Sequence, residues 1–165
     1  MKAGNIVRIA VSLGLPLLCG FVGSLATRPA IATWYAGLVK PSFNPPDWLF
    51  GPAWTVLYIL MGLAVYLVWR RGMAAPGVRP AVAVFAVQLA LNVLWSFLFF
   101  AARSPVLGFV DIVVLWGAIL ATMVLFFRVS AAAGLLLVPY IGWVSFAGVL
   151  NGAIMVLNRG GGPGA

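Results

Sequence analysis

Most of the side chains in this sequence that could do chemistry are aromatic or amide groups, and few are acids or bases. Trp54 and Tyr58 stand four residues apart and share one face of a helix. Gln88, Asn92, Trp95, Ser96 and Phe99 form a second stripe at i+3/i+4 spacing, and Trp143, Ala147, Leu150 and Asn151 form a third. Amides left unpaired in an apolar setting are costly, so Gln88, Asn92 and Asn151 are expected to point inward. Two outcomes stay open at this level: the amides bond to one another between helices, or they serve a pocket. Together, three helices that turn indole, phenol and amide groups inward describe a mostly apolar pocket with a few oriented polar groups. Asp111 is the one carboxylate inside an apolar stretch. It lies early in that stretch, where an Arg or a backbone donor could satisfy it, and one carboxylate makes no proton relay. The chain has no histidine and a single cysteine, Cys19, which excludes internal disulfides, His-based metal sites and any triad needing an imidazole.

The elements that hold these groups must lie in a membrane. Of 165 residues, 64% are hydrophobic and 7% charged, against about 25% charged in an average soluble domain. The net charge of +8 would suggest nucleic acid in a soluble protein. Here the basic residues separate apolar runs, so they orient the chain in a bilayer and no nucleic-acid partner is expected. A hydrocarbon core of about 30 Å needs roughly 20 apolar residues per helix. Five such runs are predicted, at about 6–26, 49–69, 81–102, 106–127 and 131–157. They are continuous, where a barrel would alternate, so the expected fold is an all-α bundle of five transmembrane helices in one domain, 1–158. The Gly-rich tail, 159–165, is expected to be disordered.

The first run resembles a signal peptide, with Ser24-Leu25-Ala26 as a cleavage-like site. It is long for that, and Ser12, Pro16, Gly20 and Ser24 make a small-residue stripe of the kind packed membrane helices use. A retained helix is expected, its stripe serving either internal packing or an interface. Lys2, Arg8, Arg70, Arg71, Arg79 and Arg128 fall on the N-terminal side, against Arg28, Lys40, Arg103 and Arg159 on the other. The positive-inside rule then puts the N-terminus in the cytoplasm, by a narrow excess.

The connection from Thr27 to Phe50 carries Trp34-Tyr35, Lys40-Pro41, Asn44-Pro45-Pro46 and Trp48. Its prolines favour a stiff, extended segment, with a short helix possible over Trp34–Val39. Trp48 and Trp69, taken alone, are assigned to the interfacial aromatic belt. The loop as a whole reads as a lid over one end of the bundle.

These residues resemble the translocator protein (TspO/MBR) family, once called peripheral benzodiazepine receptors. The resemblance rests on Trp34-Tyr35, Lys40-Pro41, Pro45-Pro46, Trp48, Phe50, Pro52, Trp54 and Tyr58 in the first half. In the second half it rests on Gln88-Leu89, Asn92, Trp95, Phe99-Phe100, Asp111, Pro139-Tyr140, Trp143, Phe146-Ala147 and Leu150-Asn151. It implies five transmembrane helices, a homodimer, and a pocket beneath the first loop that binds porphyrins, haem and isoquinoline-type drugs. Carried over by position, the ligand pocket comprises Tyr35, Pro45, Trp54, Asn92, Trp95, Trp143, Ala147 and Leu150. Tyr58 and Asn151 join it from the spacing. Animal members bind cholesterol and end the last span with Leu-x-x-Tyr-x-x-Arg. Here Leu150-Asn151-Gly152-Ala153-Ile154-Met155-Val156 has neither Tyr nor Arg at those places, which counts against high-affinity cholesterol binding.

Three functions compete. A receptor or sensor would stack protoporphyrin IX or haem on Trp and Tyr, with Lys40 or Arg28 pairing with propionates. A light-dependent porphyrin-degrading enzyme would use Trp54 or Trp143 as electron donor, the porphyrin supplying the excited state. A transporter lacks any obvious inverted repeat among five spans. Binding ranks first. No resident cofactor is required, and haem, if bound, would stack without histidine ligation.

Overall fold

The computed structural model describes residues 3–159; of the tail expected to be disordered, 159–165, Arg159 is held in a turn with its N–H on Val156 O at 3.3 Å, and 160–165 lies outside the described residues, as does Lys2. Five helical stretches are long and apolar enough to cross a membrane. α1 spans Ala3–Ile31, α2 Asp47–Trp69, α3 Val78–Ser96 and α4 Pro105–Val129. The fifth stretch is two helices, α5 over Ala131–Leu136 and α6 over Val138–Leu157. The protein is an integral, multi-pass membrane protein.

Local sequence explains most boundaries. α1 runs past the expected end at Ala26 to Ile31, with Arg28 in its last turn favouring the negative end of the helix dipole. α4 begins on Ser104, whose hydroxyl accepts from Leu107 N at 3.2 Å, with Pro105 at the first helical position. Two features depart from the expected straight rods. α3 continues into a π-helical turn over Phe97–Ala101, in which Ala102 N donates to Phe97 O at 2.8 Å. The extra residue per turn turns both Phe99 and Phe100 inward. The fifth span, expected as one helix over 131–157, breaks at Leu137, because Pro139 has no N–H for the carbonyl four residues back.

The small-residue stripe of α1 serves internal packing. Pro16 cannot donate to the Ser12 carbonyl, and Gly62 of α2 fits beside that freed oxygen. A Cβ on Gly62 would stand 2.8 Å from the Ser12 carbonyl and 3.0 Å from Leu13 Cα. A Cβ on Gly20 would overlap the Tyr58 ring, and one on Gly23 would lie 2.9 Å from Ser96 Oγ. Glycine therefore sets how closely α1 approaches α2 and α3. Below this contact the core is apolar, with Met61, Val68, Ile119 and Phe126 buried among α2, α3, α4 and α5.

Candidate functional site

Between α1, α2, α3 and α6, toward the loop, the helices enclose a cavity of about 530 Å³. Such a volume suits a drug-sized ligand. Trp54 and Tyr58 line it from α2, their rings 5.6 Å apart, and Asn92, Trp95 and Phe99 line it from α3 and its π-turn. Trp95 and Phe99 stack with centroids 5.1 Å apart and planes 17° apart. Trp143, Ala147, Leu150 and Asn151 contribute from α6, and Tyr35 comes from the loop above. The 3.6-residue period of each helix brings these groups to one face, and the packing of the four helices makes the faces converge.

The amides resolve into two networks. Tyr58 Oη donates to Asn92 Oδ1. Asn92 Nδ2 donates to Tyr140 Oη at 3.0 Å, and Tyr140 Oη donates to Gln88 Oε1 at 2.9 Å. This chain ties α2, α3 and α6 together, so Gln88 is a buried structural amide, while Asn92 both joins the network and lines the cavity. Higher up, Trp95 Nε1 donates to Asn151 Oδ1 at 3.3 Å, and Asn151 Nδ2 donates to the Pro105 carbonyl at 2.8 Å. The amides thus bond across helices to tyrosine, tryptophan and a backbone carbonyl and not to one another, while Asn92 and Asn151 also line the cavity. Trp143 is different: its indole N–H is buried without a hydrogen-bond partner.

The loop is ordered as a cover. Its short helix is a 3-10 turn over Tyr35–Gly37, narrower than the Trp34–Val39 expected. Tyr35, Leu38 and Ala30 are buried with Phe99, Phe100 and Leu150. Tyr35 Oη donates to Asn44 Oδ1 at 2.9 Å. Burial pushes the Tyr35 phenol up to about 12, the Asp47 charge adding to the rise. Asn158, at the end of α6, clamps the loop through both backbone groups of Val39. Its Oδ1 accepts from Val39 N at 3.1 Å and its Nδ2 donates to Val39 O at 3.0 Å.

Several expectations need correction. Pro45 is not among the residues lining the cavity; it stays in the cover, its carbonyl accepting from Asn44 Nδ2 at 2.9 Å. Lys40 does not line the cavity either: its ammonium sits over the Tyr35 ring at 4.7 Å and reaches the Ala36 carbonyl. Arg28 does line it, and so does Asp47. Trp48, assigned to the interfacial belt, lines the mouth while 71% exposed. Trp69 ends α2 at the opposite end of the helix, away from the cavity. Asp111 is buried, but its Oδ2 has no hydrogen-bond partner and it does not line the cavity, so neither an Arg nor a backbone donor satisfies that oxygen. No group of three or more His, Cys, Asp or Glu that could hold a metal occurs among the described residues.

Tyr140 and Asn158 were not singled out as site residues. Tyr140 carried a signal, since it precedes Ala147 by seven residues and Asn151 by eleven on one helical face. Asn158 carried none beyond the look of a helix C-terminus, a role it also fills by donating to Ile154 O at 2.8 Å.

Comparison with known proteins identifies the family. The profile of the TspO/MBR family matches residues 12–157. The chain is 51% identical over 154 residues to the tryptophan-rich protein TspO of Chlorobaculum tepidum, covering 93% of this chain and 98% of that one. It is 42% identical over 147 residues to the translocator protein of Homo sapiens, covering 88% and 86%. The tryptophan-rich sensory protein of Cereibacter sphaeroides is 42% identical over 139 residues, covering 82% and 85%. With a family match over residues 12–157, relatives along most of the chain, and five membrane-spanning stretches around a Trp-lined cavity, this chain belongs to the TspO/MBR family.

Proposed function

We propose that the protein is a membrane receptor or sensor that binds tetrapyrroles, protoporphyrin IX or haem, in the cavity beneath the loop. The observation that carries this reading is the convergence of Trp54, Trp95 and Trp143 on one apolar cavity that has a cation, Arg28, at its mouth. Indole faces stack on a flat macrocycle, and the guanidinium pairs with a propionate. The unpartnered Trp143 N–H is a donor in hand for a ligand acceptor. The name of the Cereibacter relative, a sensory protein, supports the sensor role. The packing of Ser12 against Gly62 and of Gly20 against Tyr58 supports placing the homodimer that the family resemblance implies on a face other than this part of the α1 stripe.

The test is a tryptophan-fluorescence titration with protoporphyrin IX, first dark and then illuminated. Saturable quenching in the dark supports the receptor, and its absence refutes it. A second reading, light-dependent porphyrin degradation, is favoured by the presence of two oxidisable indoles, Trp54 and Trp143, in the same cavity. Loss of the porphyrin spectrum on illumination, suppressed in Trp54→Phe and Trp143→Phe, would identify it.

A further inference from the structure

The cavity has two rims, a polar one beside the loop, where the exposed Arg28, Asp47 and Trp48 line it, and an apolar one on the side of the bundle. The loop covers the rest of the polar end, with Tyr35 and Leu38 buried and Val39 clamped by Asn158. Yet the cavity lining includes residues on the outer surface of the bundle, Leu17 and Phe21 of α1 and Gly51 and Thr55 of α2. A residue that lines a cavity and is also exposed marks its rim; Phe21 is 58% exposed. At 1.5 Å per residue, Leu17 and Phe21 lie about 21 and 15 Å down α1 from its loop end, and Thr55 lies about 12 Å down α2. With a hydrocarbon core about 30 Å thick, that depth belongs to acyl chains and not to water. The four residues carry no charge, and the Thr55 hydroxyl is occupied by the Gly51 carbonyl at 2.9 Å. Farther down, α1 and α2 are held in contact where Gly62 meets Ser12.

We infer that the gap between Leu17–Phe21 and Gly51–Thr55 is a lateral window through which the ligand exchanges with the bilayer interior, while the loop stays closed. The inference rests on the ligand reading above and adds to it the route and the phase from which the ligand arrives. It also fixes a chemical class: the ligand must dissolve among acyl chains, with its charged end left to reach Arg28.

Gly51 offers a direct test, because a Cβ there meets nothing within 4 Å. Larger side chains project into the window without straining the helix. Gly51→Ala, Gly51→Leu and Gly51→Phe would be placed in phosphatidylcholine vesicles with Phe21→Ala and Asn158→Ala, and protoporphyrin IX exchange followed by tryptophan quenching. Association and dissociation should slow together in the order Ala, Leu, Phe, at least tenfold for Gly51→Phe. Phe21→Ala should speed both. Asn158→Ala, which loosens only the loop, should leave both within twofold. At fixed total porphyrin, association should fall as added lipid dilutes the porphyrin in the membrane. Unchanged rates in Gly51→Phe, or a tenfold acceleration in Asn158→Ala, would overturn the window and place the passage under the loop. Those outcomes leave equilibrium binding intact, whereas a wild-type protein that binds no porphyrin overturns the ligand reading and the window with it.

Discussion

Removing the Asn158 amide should open the loop without unfolding the bundle. Asn158 offers Val39 one acceptor and one donor at 3.1 and 3.0 Å, so its side chain stands in for a peptide group and closes a contact 119 residues long in sequence. Each such bond contributes about 0.5–1.5 kcal/mol net, and these partners are solvent-exposed, which favours the lower half of that range. Asn158→Ala should therefore favour loop opening by about 1–2 kcal/mol, or about 5- to 30-fold in the opening equilibrium. Asn158→Asp keeps an acceptor for the Val39 N–H but sets a carboxylate oxygen against the Val39 carbonyl, so it should open the loop at least as much. Amide hydrogen exchange in lipid nanodiscs reads this out at Val39. The Gly37 amide, bonded locally to Trp34 O at 3.1 Å, reports the 3-10 turn within the same loop. Amides deep in α4 serve as the reference and should keep their protection. Unchanged protection at Val39 in Asn158→Ala would refute the latch, and equal loss throughout α4 would show that the substitution acts on the whole fold.

Three further outcomes are expected. Trp143→Phe should weaken protoporphyrin IX binding by about 1–2 kcal/mol through loss of the larger indole face and its N–H donor. Trp69→Phe, at the far end of α2, should change it by less than about 0.5 kcal/mol; equal losses in parallel titrations would remove the cavity assignment. Gly62→Ala should destabilise the protein by about 1–3 kcal/mol, because the new methyl meets the backbone of α1 rather than a movable side chain. Gly117→Ala, whose Cβ meets open space, is the control, and thermal unfolding in detergent compares them. The Tyr35 phenol, raised from an ordinary value of 10.0 to about 12, should remain protonated in the folded protein where an exposed phenol ionises. Its contribution to stability is complete below pH 10.0 and fades as pH rises through about 12. The phenolate absorbance of wild type minus Tyr35→Phe should show its midpoint near the higher value; a midpoint near the lower one would mean that the loop is open.

The five spans follow from the amino-acid sequence alone, because a chain without barrel-like alternation crosses a bilayer on apolar helical stretches of a minimum length, and the described residues hold five. The inward faces follow as well. A repeat near 3.6 residues and the cost of an unpaired amide in hydrocarbon select one side of each helix, and Trp54, Tyr58, Asn92, Trp95, Trp143, Ala147, Leu150 and Asn151 do line one cavity. Periodicity assigns a face on a residue's own helix and says nothing of what stands opposite. Only the tertiary structure decided that the α1 stripe receives α2, that Trp48 belongs to the mouth while Trp69 does not, and that Lys40 rests on Tyr35 and leaves Arg28 at the cavity. The same holds for Pro45, Tyr140 and Asn158. Each depends on which atom of a distant segment lies within bonding distance, as Asn158 lies against Val39, and that is fixed by how the helices cross and not by any spacing within one of them.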